Sequence, residues 1–92
     1  MNNKVILSAL ASDLKRVSMG LQRKSFKMAD RFSEEALKRK MEVSSIGLHT
    51  YMQKLLTSME LSLKSQNMEE KAEDVLMYST LIQNYVQKKC SI

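Results

Sequence analysis

Apolar residues recur every three or four positions along almost the whole chain, and this spacing most limits what it can fold into. At that spacing, successive side chains return to one face of an α-helix. The chain has no proline and only two glycines, so few positions can interrupt a helix. Sheet proteins need turn residues at much shorter intervals. The pattern therefore predicts an all-α fold.

Two apolar stripes lie in the first half of the chain. Both stay within a sector of about 120° on one helix that runs from residue 3 to residue 43. Gly20 weakens such a helix by about 1 kcal/mol, and Ser33 before Glu34 and Glu35 has the features of a second N-cap. The sequence is therefore compatible with one long helix and also with two shorter helices, which are either collinear or folded together. The stripes are Leu7, Leu10, Leu14, Val17 and Leu21, then Met28, Phe32, Ala36 and Val43.

The second half predicts two further helices with clear breaks before each. Residues 43–47 combine two serines with a glycine, and residues 65–67 form the next break. Asn67 is the predicted N-cap of the last helix, and Glu70 stands three residues on, as in a capping box. The third helix is expected to bury Leu48, Met52, Leu55, Met59 and Leu63, with Tyr51 and Leu56 beside them. The last is expected to bury Met68, Ala72, Val75, Ile82 and Val86, with Leu76 and Tyr85 beside them.

These helices predict one domain, residues 1–92, built as an antiparallel up-and-down bundle of three to four helices. A domain of this size buries only about 60–65% of its unfolded surface, so its core is thin. If the first two helices are one, that helix spans about 60 Å, which a chain of this length cannot cover alone. We therefore expect the bundle to be completed by dimerisation.

The formal net charge of +5 arises entirely in the first half of the chain. Residues 1–49 hold ten basic and five acidic residues, whereas residues 50–92 hold five of each. On one continuous helix, six of the cations occupy about 100° of the surface, beside the apolar stripe. Glu34 falls inside this strip, and no aromatic residue lies in it to stack on bases. The candidate binding residues are Arg16, Arg23, Lys24, Lys27, Arg31 and Lys38.

The sequence offers little for catalysis or for holding a metal ion. His49 and Cys90 are the only residues of their types, and they do not form a zinc-ligand spacing. A ribonuclease that uses His49 as its acid-base group would need an arginine at short spacing, but Arg39 is ten residues away. The acidic residues 69–74 are typical of a solvated helix start. We expect no catalytic residues, no metal, no cofactor and no small-molecule substrate.

The location expected for the chain is the cytoplasm. With Cys90 alone, no intramolecular disulfide can form, which fits a reducing compartment. Residues 1–12 contain the lysine and short apolar run of a signal peptide, but the helical stripe crosses the would-be cleavage site unbroken. No run reaches the roughly 18 apolar residues of a membrane span, and no membrane binding is expected.

No motif is specific enough to indicate a family. The function expected first is that of a small non-enzymatic helical interaction or assembly module, homo-oligomeric and bound to a protein partner. The alternative is a nucleic-acid-binding accessory protein that uses the same basic strip, with salt-sensitive and sequence-tolerant affinity. A nuclease dependent on His49 is the third hypothesis.

Overall fold

Four helices follow one another through short turns. The computed structural model describes the backbone of residues 2–90 and the side chains of residues 2–88. Its helices are α1 (Asn3–Gln22), α2 (Phe26–Glu42), α3 (Thr50–Leu63) and α4 (Met68–Cys90), and the described range contains no strand. The all-α prediction is confirmed. The side chain of Cys90 lies outside the described residues, so the inference drawn from its thiol stays a prediction.

The first half of the chain forms two helices, and the alternative of one long helix is wrong. α1 ends in a Schellman turn, in which the N–H of Ser25 donates to the Gly20 carbonyl at 2.8 Å and that of Lys24 donates to the Leu21 carbonyl at 3.2 Å. Lys24 occupies the left-handed position with φ 58°, where glycine is the usual residue. The molecule is only 38 Å long, so the argument for a dimer from a 60 Å helix no longer holds. Ser33 lies inside α2 and is not an N-cap.

α1 and α2 contact each other in reverse order along the chain. Near the start of α1, the Asn3 side chain donates to the Ser44 carbonyl at 2.8 Å and accepts from the Ser44 N–H at 3.0 Å. Near the end of α1, Gly20 lies so close to α2 that a Cβ atom there would be 3.0 Å from the Ala29 nitrogen. Gly20 is therefore a point at which the backbones of the two helices come into close contact.

α1 and α4 also pack closely, with small buried side chains between them. The Ser18 hydroxyl donates to the carbonyl of Ala72 at 2.9 Å, and the Ser79 hydroxyl donates to the carbonyl of Ala11 at 2.6 Å. These bonds satisfy both buried hydroxyls and leave little space between the backbones. The radius of gyration is 12.5 Å, against about 12 Å expected for a compact chain of this length.

The core contains most of the predicted apolar residues, with informative exceptions. The α1 stripe is fully buried, and so are Met52 and Met59 of α3. On α3, Leu56 is fully in the core, whereas Leu55, which was expected there, is only partly buried against it. On α4, the prediction for Met68 is wrong, since its side chain is 45% exposed. The predicted cap on α4 is confirmed, because the Glu70 N–H donates to the Asn67 side chain at 3.1 Å.

α3 is the least firmly attached helix. It packs against α4 and makes only a few contacts with α2, and its backbone does not approach that of α1. One ion pair crosses to α2, where the Lys40 ammonium lies 2.7 Å from the Glu60 carboxylate. Lys64, one turn along α3, lies 3.0 Å from the other oxygen of Glu60. The two ammonium groups hold the pKa of Glu60 below the ordinary glutamate value of 4.5.

Glu60→Gln is expected to make the protein less stable at neutral pH. When the pKa of a carboxyl group is lower in the folded protein than in the unfolded chain, its charge stabilises the fold at any pH above the pKa of the unfolded chain. This stabilisation is lost as the pH falls through the pKa of the folded protein. The difference between wild type and variant should therefore begin to shrink as the pH falls below the ordinary glutamate pKa of 4.5, and it should vanish only once the pH is below the lowered pKa of the folded state. Urea unfolding across the acidic range measures it. Glu34→Gln, at an exposed site on α2, is the control, and an equal effect there would contradict the assignment to the Lys40 and Lys64 pairs.

Candidate interaction surface

The fold divides the predicted basic strip between two adjacent helices. Arg16 belongs to α1, Arg23 and Lys24 belong to the turn, and the other three lie on α2. The single straight ridge is therefore wrong, because its alignment required one continuous helix. The fold of α2 back on α1 instead distributes these cations over both helices and the turn between them. We refer to the six residues Arg16, Arg23, Lys24, Lys27, Arg31 and Lys38 as the basic patch.

Two members of the basic patch meet at one aromatic ring. The guanidinium of Arg16 lies 5.3 Å from the ring centroid of Phe32, and that of Arg31 lies 5.7 Å from it. Both distances suit cation–π attraction. The pairing brings together cations that are 15 positions apart in the sequence. It also occupies the Phe32 ring, so that ring is not free to stack on a base.

A buried carboxylate holds one side of the basic patch in place. Asp13 is only 4% exposed, and its side chain accepts a hydrogen bond from Nε of Arg39 at 2.8 Å. Nη1 of Arg16 lies 3.5 Å from its other oxygen. Sequence reasoning missed this network. The available signal was that Asp13 stands three residues after Leu10, beside the apolar stripe of α1.

The remaining cations differ in whether a carboxylate lies near them. Lys38 pairs with Glu35 at 3.8 Å on the surface of α2. Arg23, Lys24 and Lys27 are exposed, and none has a carboxylate within 4.0 Å among the described side chains. Arg31 also has no carboxylate within 4.0 Å among these side chains, but it lies against Phe32. The members of the patch with neither an ion pair nor a cation–π contact therefore lie at the end of the bundle that carries the α1–α2 turn.

A groove opens at the same end, between the α1–α2 turn and the first turns of α4. Its volume is about 500 Å³, and we call it the end groove. Phe26 and Met68 line it and are 48% and 45% exposed. Sequence reasoning missed it, because Met68 was expected in the core. The lining also includes Leu21, Ala72, Lys24, Glu69 and Glu73.

His49 contacts two tyrosines near the other end of α4. Its Nδ1 atom lies 3.0 Å from the hydroxyl of Tyr85, and its ring packs edge-on against that tyrosine. Tyr51 completes the cluster, with its ring centroid 5.7 Å from that of Tyr85. His49 stands at the N-cap position of α3, so the contact joins the start of α3 to α4. The contacts of His49 within the described residues include no arginine, so the nuclease hypothesis gains no support.

Comparison with known protein families, with curated proteins and with solved structures finds no match for this chain. No helix in the described range is both long enough and apolar enough to cross a lipid bilayer. Among the described side chains, no three histidine, cysteine or acidic residues come close enough to hold a metal ion.

Proposed function

We propose that this chain is a small non-enzymatic helical interaction module that associates with itself and binds an acidic surface of a protein partner. The helices form an antiparallel up-and-down bundle, which the reverse order of the α1–α2 contacts supports. The module works in the cytoplasm, for which the single cysteine is the support.

The observation that carries the proposal is the position of the unpaired cations. Arg23, Lys24 and Lys27 lie together beside Phe26, an aromatic side chain left half exposed. Protein interfaces combine such features, since aromatic residues and arginine are enriched there and charged residues form the rim. An amphipathic acidic segment of a partner matches both the cations and the exposed ring, because its carboxylates contact the cations and one of its apolar side chains packs against Phe26.

Nucleic acid is the alternative ligand, and the unpaired cations favour it as well. Two observations count against it. The Phe32 ring packs against two guanidinium groups, which would have to move before the ring could stack on a base. Glu69 and Glu73 line the same groove as Lys24, and their negative charge would repel phosphates. A protein partner carries charges of both signs, so it can bind next to both the cations and the two glutamates more favourably than a nucleic acid can.

The test compares labelled probes by fluorescence anisotropy from low to physiological salt. The probes are an acidic amphipathic helical peptide, a scrambled peptide of the same composition, and single- and double-stranded oligonucleotides. We expect the amphipathic peptide to bind about tenfold more tightly than the scrambled one, a difference of roughly 1.4 kcal/mol. Arg23→Glu/Lys27→Glu should abolish that binding.

The matched control is Lys54→Glu/Lys88→Glu, which makes the same charge change at exposed positions on α3 and α4. It should leave peptide binding nearly unchanged. Oligonucleotide binding that is tighter than peptide binding, and that falls steeply with salt, would instead establish the alternative. In that case, Arg23→Glu/Lys27→Glu should reduce the salt slope by about two.

A further inference from the structure

The lining of the end groove combines apolar side chains with charged side chains of both signs. Phe26 and Met68 each leave almost half of their surface exposed there. Lys24 supplies the positive charge, and Glu69 and Glu73 supply the negative charge. No ion pair within 4.0 Å among the described side chains joins this lysine to either glutamate, although all three line one groove.

This combination suits a second copy of the same chain. A two-fold interface places the same patch on both subunits, so residue i of one contacts residue j of the other, and the reverse. A patch of one charge sign repels its own copy, whereas a patch with both signs pairs with it. Around a two-fold axis at the end groove, Lys24 of each copy meets Glu69 and Glu73 of the other.

We infer that the end groove is the surface through which two copies of this chain associate. Phe26 and Met68 of each copy fill the groove of the other, and two symmetric sets of ion pairs flank them. This inference rests on the self-association in the proposed function and names its surface. Arg23 and Lys27 do not line the groove and stay available to a further partner. Phe26 and Lys24 do line it, so the second copy and the acidic partner compete for these two side chains.

The backbone of Lys24 adds an independent reason. Its left-handed conformation disfavours any residue with a Cβ atom, and glycine is usual at this position of a Schellman turn. Strained positions of this kind occur where a side chain has a task. Here the turn places an ammonium group at the rim of an apolar groove that also carries two glutamates.

The experiment is sedimentation velocity over a range of protein concentrations. We expect a weak dimer, with a dissociation constant on the order of 10–100 µM, because only a few side chains of each copy take part in the contact. Lys24→Glu should weaken the dimer about tenfold, because three carboxylates then face one another at each contact. Glu69→Lys/Glu73→Lys should weaken it by more than that, because it places three ammonium groups together and also raises the net charge of each copy from +5 to +9.

Mixing the two variants gives the decisive result. In the mixed dimer, one copy is Lys24→Glu and the other is Glu69→Lys/Glu73→Lys. At one contact, the new carboxylate at position 24 faces the two new ammonium groups at positions 69 and 73. At the other contact, the unchanged Lys24 faces the unchanged Glu69 and Glu73. Both contacts are therefore restored. The net charges are +3 and +9, which repel about as strongly as two copies of the wild type at +5. Recovery of near wild-type affinity in the mixture therefore reports the specific contact.

Lys54→Glu on α3 is the control for a single charge reversal. Its side chain is exposed and lies outside the end groove. It should therefore leave the dissociation constant within about twofold of the wild-type value.

Lys24→Gly separates folding from association. It removes the ammonium group and relieves the backbone, so the melting temperature of the dilute monomer should rise by about 4 °C while the dimer weakens several-fold. If all groove variants form a dimer of wild-type affinity, the end groove is not the dimer surface, and the chain associates with itself through another surface. Absence of any dimer in the wild type would overturn both the groove and the proposed self-association.

Discussion

Gly20→Val is expected to lower the free energy of unfolding by about 3 kcal/mol and the melting temperature by roughly 12–20 °C. A Cβ atom at this position would lie 3.0 Å from the nitrogen of Ala29 and 3.2 Å from both the Ala29 Cα and the Ser25 carbonyl oxygen. These are backbone atoms and cannot rotate away as a side chain would. Two further methyl groups would force α2 away from α1.

The smaller change Gly20→Ala should cost about 1 kcal/mol, because better helix propensity offsets part of the clash. Thermal and urea unfolding followed by circular dichroism measure both variants. Ser12→Val, on the exposed side of the same helix, is the control and should shift stability by less than about 0.5 kcal/mol. Full stability of Gly20→Val would show that the two helices do not approach each other at this point.

Arg39→Ala is expected to destabilise the protein by about 2–3 kcal/mol. The substitution removes the 2.8 Å hydrogen bond from Arg39 to Asp13. The Asp13 carboxylate, which is only 4% exposed, then keeps only its longer contact with Arg16. The loss is smaller than for a fully buried pair, because the Arg39 side chain keeps one third of its surface in water. Urea unfolding gives the value.

A double-mutant cycle with Asp13→Ala tests the reason for that loss. The double variant should lose less than the sum of the two single variants, with a coupling of about 1.5 kcal/mol, because no unpaired charge remains. Arg16→Ala is the comparison, since that side chain is half exposed and its contact is 3.5 Å, and it should cost less than about 1 kcal/mol. Additive losses would mean that Asp13 and Arg39 stabilise the fold separately.

The helices could be predicted from the sequence, because their signals are local. The α1 stripe, the break after residue 42 and the Asn67 cap each depend on residues within a few positions of one another. The break at residues 23–25 could not be predicted. Arginine and lysine favour helices, and nothing in their order signals a left-handed residue. The turn forms there because Gly20 lets Ala29 pack against it, which is a tertiary effect.

The candidate surface could be predicted only in part, for the same reason. The identity of the cations follows from the sequence, but their arrangement depends on the turn that brings Arg31 back to Arg16. The end groove depends on α4, more than 40 residues further along the chain than Phe26. Met68 follows the helical period of the apolar residues after it, and only the end of the bundle explains its exposure. Periodicity reports a face of a helix and not whether a neighbour covers it.

The weak contact between α2 and α3 divides the molecule into parts of unequal stability. α1 packs closely against both α2 and α4, whereas α3 depends on one neighbour and a few contacts with another. We expect such a helix to open as its own cooperative unit, with its amide hydrogens exchanging before the rest of the protein unfolds. The two methionines that α3 buries, Met52 and Met59, have flexible side chains that adapt to varied neighbours. Opening of α3 would therefore expose Met52 and Met59, the core side chains best able to pack against a different neighbour.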